Sequence, residues 1–115
     1  MREPKLYLKD ILEAMVAIER FVEGVEFEDF RLNDEKSSAV IRKFEIIGEA
    51  VKNLPEDIKQ KNPDIPWKEM AGFRDKLIHF YFGIKYELVW NTIKDVIPRL
   101  KPSIHKILEN LEGNK

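Results

Sequence analysis

An all-α fold, most simply an up-and-down bundle of four main helices with one short extra helix, is what this sequence predicts. Two observations carry that expectation. Apolar residues recur at intervals of three and four through several long segments, the spacing that puts them on one face of a helix. The stretches between those segments hold the glycines, prolines, asparagines and aspartates that start and stop helices. No internal repeat, low-complexity tract or linker interrupts the pattern, so residues 1–115 read as a single helical domain.

The first helix is expected over residues 5–24, where Leu8, Ile11, Leu12, Met15, Ile18 and Val22 form the stripe and Gly24 ends it. "VEFEDFRLND" alternates apolar and acidic residues, but it is short and isolated and reads as a connecting loop. Asp34 offers an N-cap for a second helix reaching about Leu54, with Val40, Phe44, Ile47, Val51 and Leu54 on its apolar face. Pro55, at a first-turn position before Glu56 and Asp57, opens a short helix that stops near Asn62. "NPDIP" is turn chemistry, and a further helix begins near Pro66 and runs through "WKEMAGFRDKLI", with Gly83 marking its exit. From about Lys85 to Leu111 the stripe is Val89, Ile93, Val96, Leu100, Ile104, Ile107 and Leu111. Pro98 and Pro102 fall inside it and predict a kink or break.

Composition narrows the function. Charged residues make up 36% and hydrophobic residues 43% of the chain, which suits a folded domain rather than a disordered one. The net charge of −1 provides no global field for nucleic acid, so any such contact needs a local basic patch or one assembled by oligomerisation. With no cysteine, disulfides, thiolate catalysis and cysteine-ligated zinc are excluded. The charged start "MREPKLYLKD" lacks the apolar stretch of a signal peptide, and no window nears the ~18 apolar residues of a membrane span. A soluble cytoplasmic protein is expected.

The chemistry concentrates in "RDKLIHFYF", residues 74–82. A neutral imidazole can take the proton of an RNA 2′-hydroxyl and an imidazolium can protonate the leaving 5′-oxygen. A guanidinium can hold the non-bridging phosphate oxygens in a fork while charge builds on phosphorus. Arg74 and His79 supply those groups, and the reaction asks for no metal or other cofactor. The sequence has no evident metal-ligand set, since the only other histidine, His105, is 26 residues away and reads as surface. On a continuous helix Arg74 and His79 stand about 140° apart around the axis, so one copy does not converge on one atom. A helix that loosens near His79 would bring them together; so would a second copy across a two-fold axis. The aromatic load from Trp67 to Trp90 also fits a partner face, or equally a monomer core. Taken alone, the motif also fits a solvated arginine and a half-buried histidine. Asp75 and Lys76 read as solvent-facing. Glu45 and Glu49 are placed to orient Arg74 or line its cleft, or else to form a solvated helix face.

"RDKLIHFYF" resembles the Arg-x4-His-x-Tyr signature of the HepT-like branch of the HEPN superfamily, with Asp75, Lys76, Leu77 and Ile78 as the four intervening residues. "FEIIGEAVKNLP" is similar to that family's second helix, "IPWKEMAGFRDKLIHFYFGI" to the segment carrying the signature, and "YELVWNTIKDVIPRL" to its last helix. The resemblance implies a HEPN-like helical bundle, a homodimer with the motif at the shared cleft, and metal-independent endoribonuclease activity in the toxin of a toxin–antitoxin pair. It implies a minimal nucleotidyltransferase antitoxin as partner. By position, Arg74 and His79 match the catalytic pair and Tyr81 the tyrosine that the antitoxin modifies with AMP, with Asp75 and Glu49 as candidate supporting residues. The alternative is a non-catalytic helical interaction subunit that docks with such a partner.

Overall fold

The computed structural model describes residues 2–79 and 85–113, and for Arg74, Leu77, Ile78 and His79 the backbone alone. Every element among the described residues is helical. In order they are α1 (Pro4–Phe21), α2 (Phe27–Leu32), α3 (Asp34–Asn53), α4 (Glu56–Lys61), α5 (Trp67–His79), α6 (Tyr86–Asn91), a π-helical turn (Thr92–Val96) and α7 (Ile97–Gly113). The core lies where α1 packs on α3 and α7, while α3 also packs on α5.

Pro4 occupies the first turn of α1, where its missing N–H costs nothing and its fixed φ favours the helix. Leu8, Ile11, Ala14, Met15 and Ile18 bury one face, and the helix gives out at Phe21. Gly24, at φ 72°, makes the turn that follows; a side chain there would be strained. On the flank facing α7, Glu19 pairs with Lys101.

The segment read as a loop contains α2. Glu28 and Asp29 sit in its first turn, where the partial positive charge of the helix start favours them. Phe27 and Phe30, three apart, share one side of the helix. Phe30 is fully buried and Phe27 half-buried. The alternation of acidic and aromatic residues thus belongs to a short helix whose aromatic side caps the core. Arg31 closes the turn with a 2.8 Å ion pair to Glu28.

Asn33, one residue earlier than expected, caps α3: its side chain accepts from the Lys36 N–H at 2.9 Å, and Asp34 is already helical. Val40, Phe44, Ile47, Val51 and Leu54 are all buried, as their spacing predicts. Ser37 is buried among them, its hydroxyl satisfied by donating to the Asp34 carbonyl. Pro55 stands just outside α4, in the cap position. Asn62 then pins the turn: its amide donates to the Ile58 carbonyl at 2.9 Å, and its own carbonyl accepts from the Trp67 indole at 3.0 Å. That bond fixes the start of α5, whose Phe73 packs edge-on against Phe44 with ring centroids 4.9 Å apart.

The last stripe does not form one regular rod. At Thr92–Val96 the ladder widens, and the Ile97 N–H reaches back five residues to the Thr92 carbonyl. Pro98 follows directly. It has no N–H to give, and in a regular α-helix its ring would press on the Lys94 carbonyl, so the wider turn relieves the crowding. The Thr92 hydroxyl donates to the Leu88 carbonyl at 2.8 Å, and the Arg99 Nε donates to the Asp95 carbonyl at 3.1 Å. The irregularity therefore precedes Pro98, whereas Pro102 lies within α7.

Candidate functional site

Packing on α3 sets the position of α5, and α5 carries the backbone of both Arg74 and His79. The helix is unbroken through His79. Five steps along an α-helix separate the two by about 140° around the axis and about 7.5 Å along it. Among the described residues, then, the helix does not loosen so as to swing the two positions together. The side chains of Arg74 and His79, and the whole of Tyr81, lie outside the described residues, as do Phe80 and Phe82.

Asp75 is half-exposed and within 3.3 Å of the Lys52 Nζ on α3. It reaches from α5 to α3 beside the motif while its side chain stays 48% exposed, as expected of a solvent-facing residue. Lys76 is exposed. Lys52 is the residue that sequence reasoning missed. It stands 23 positions before Asp75, and only the packing of α3 on α5 reveals the pairing.

Glu49 and Glu45 line a cleft of about 420 Å³ together with Arg42 of the same helix and with Arg2, Tyr7 and Asp10. Its charges are largely committed to one another. Arg2 donates to Asp10 at 2.8 Å and lies 4.9 Å from the centre of the Tyr7 ring. The Asp10 hydrogen bond and charge raise the Arg2 pKa above its already high value. Arg42 stands 3.8 Å from Glu45.

His105, read as surface, is exposed and lies 2.7 Å from Glu109, one turn further along α7. Among the described residues no three histidine, aspartate or glutamate side chains cluster closely enough to hold a metal ion. No described helix is long and apolar enough to cross a membrane.

The model of the family "Ribonuclease HepT-like" matches residues 11–107. The chain is 51% identical over 106 residues to a protein of Thermococcus cleftensis named probable ribonuclease HepT, covering 92% of this chain and 96% of that one. It is 50% identical over 112 residues to a putative RNase of Methanocaldococcus jannaschii, covering 97% of this chain and 93% of that one. A third relative, from the same archaeon, is named a gamma-glutamylcyclotransferase and putative RNase. It is 46% identical over 99% of this chain, which spans 51% of that longer protein. No solved structure matches. Similarity of this depth, running through α3, α5 and the final helices in the same order, shows that the chain belongs to the HepT-like ribonuclease family.

Proposed function

We propose that this chain is a metal-independent endoribonuclease that cuts RNA through the 2′-hydroxyl, and that it is the toxin of a toxin–antitoxin pair acting in the cytoplasm. The observation that carries the reading is the placement of Arg74 and His79 on one unbroken helix, in a chain matched to the ribonuclease family from residue 11 to residue 107. The names of its relatives support ribonuclease activity.

Because the two positions diverge around α5, the active unit is a homodimer in which two copies of the motif face one cleft. There His79 moves the proton: one imidazole accepts it from the 2′-hydroxyl and an imidazolium returns one to the 5′-oxygen. The 2′-oxygen forms its bond to phosphorus as the bond to the 5′-oxygen breaks, leaving a cyclic phosphate. Arg74 holds the non-bridging oxygens as their charge rises. Asp75, next to Arg74 on α5, is the supporting residue in this reading.

Tyr81 is the regulatory residue in this reading. A nucleotidyltransferase partner adds AMP to its hydroxyl, and the added phosphate and nucleotide block the cleft by bulk and by like charge. Expression of the chain without such a partner tests the proposal. Growth arrest that vanishes with His79→Ala supports a ribonuclease toxin, whereas growth unaffected by the wild-type chain leaves a non-catalytic docking subunit.

A further inference from the structure

The proposed reaction needs RNA to be held, yet the chain carries a net charge of −1. A groove of about 620 Å³ between the end of α3, α4 and the start of α5 gathers three lysines. Lys52, Lys59 and Lys68 line it with Glu56 and Glu69, and Lys52 also reaches Asp75. The carboxylates hold Lys52 and Lys59 loosely. Lys59 stands 3.9 Å from Glu56, and the Lys52 pair with Asp75 is half-exposed at 3.3 Å. The Lys52 pair is open to water, is worth little and exchanges readily for a phosphate, whereas Lys59 is largely buried along its stem and only its loosely paired end reaches the groove.

The groove also leads to the motif. Lys68 and Ala71 lie on the same side of α5, and Asp75, which Lys52 touches, is one turn beyond Ala71. Arg74 is its neighbour in the chain. From these observations we infer that the groove is a track for single-stranded RNA beside the scissile bond, in which Lys52, Lys59 and Lys68 bind successive backbone phosphates. This inference rests on the ribonuclease reading.

The lining favours RNA over a protein partner. Lysine is depleted at protein interfaces, and it commonly meets nucleic acid as a point charge on phosphate. Among the described residues the large exposed apolar side chains, Leu6, Val16, Leu32, Leu88 and Leu111, all lie outside the groove. Such a track reads no bases, so it adds affinity without sequence preference.

The test compares the wild type with the triple variant Lys52→Gln, Lys59→Gln, Lys68→Gln, using a short single-stranded 2′-O-methyl RNA that cannot be cut. Each lost phosphate contact should lower the slope of log affinity against log salt by about 0.7, so about 2 for the three. Affinity at low salt should fall at least about tenfold, a loss of about 1.4 kcal/mol. Lys106→Gln, on the exposed side of α7, should change neither, and the triple Lys→Arg variant should restore binding. A triple variant that remains folded but keeps the wild-type slope overturns the track. So does one that binds RNA normally while losing a protein partner. Cleavage of unmodified RNA by the wild type is read alongside. Cutting with an unchanged slope removes only the track, while lysine-dependent binding without cutting removes the nuclease reading and keeps the groove as an RNA site.

Discussion

Phe30 of α2 and Trp90 of α6 lie with ring centroids 5.2 Å apart, their planes tilted by 41°. Tyr86 meets the same phenylalanine edge-on at 6.3 Å, and Phe27 meets Trp90 at 5.9 Å. A six-residue helix is too short to hold by itself. These aromatic contacts hold α2 in place, and they tie it to the segment that begins just after the motif.

Truncating that anchor should be costly. Phe30→Ala is expected to lower unfolding stability by about 3–5 kcal/mol, the usual loss for a buried phenylalanine. Urea denaturation measures it. Leu32→Ala, two residues away at 71% exposure, should stay within about 0.5 kcal/mol of the wild type. Equal effects at the two positions would mean that α2 does not dock as described.

Glu28 offers a check on the same helix through pH. The hydrogen bond and charge of Arg31 lower its pKa below the ordinary glutamate range. A lowered folded-state pKa stabilises the fold above the ordinary value, and that contribution disappears as pH falls through the lowered one. NMR titration should find Glu28 below the ordinary glutamate range, and Arg31→Gln should return it to that range. A Glu28 titration that ignores Arg31 counts against the pair persisting in solution.

Dimerisation should be obligate or nearly so, with an interface of on the order of 1,200–2,000 Å² or more. Light scattering at micromolar concentration should report twice the chain mass of 13.6 kDa. A monomer there removes the shared cleft, because one α5 holds Arg74 and His79 on diverging sides.

For the chemistry, His79→Ala should reduce RNA cleavage by roughly 10²–10⁴, the usual worth of general acid–base catalysis. Arg74→Lys should also be severe, since an ammonium cannot reproduce the planar fork. Cleavage should survive EDTA. An activity lost to chelator but indifferent to both substitutions places the site elsewhere.

Regulation separates on one oxygen. Tyr81→Phe should fold and dimerise as the wild type does yet resist silencing by the nucleotidyltransferase partner. Mass spectrometry after incubation with partner, ATP and magnesium should find AMP on the wild type and none at this position in the variant. Full silencing with Tyr81 unmodified would point to occlusion instead.

The long helices were legible because their apolar residues repeat often enough to set a phase. Val40, Phe44, Ile47, Val51 and Leu54 name their buried face outright. In α2 only Phe27 and Phe30 carry the phase, too few to outweigh the local alternation, and what makes it a helix is Trp90, sixty residues on. The displaced cap at Asn33 is a choice between adjacent good cappers that local sequence leaves open. Proline showed that the last helix is irregular but not that a π turn would absorb the strain before Pro98. At the site, Arg74 and His79 stand out by chemistry and spacing. Lys52 does not, because an exposed lysine becomes informative only once α3 and α5 are packed together.

The chain's two tryptophans give it optical reporters in unlike surroundings. Trp67 is nearly buried, on the floor of the lysine groove, its indole held by the Asn62 carbonyl. Trp90 is half-buried against Phe30, with the Lys94 ammonium 4.8 Å from its ring centre. Emission from the first should respond to a strand entering the groove, and emission from the second to detachment of α2. Phenylalanine at either position leaves a single-tryptophan chain, so the two events can be watched separately without attaching a dye.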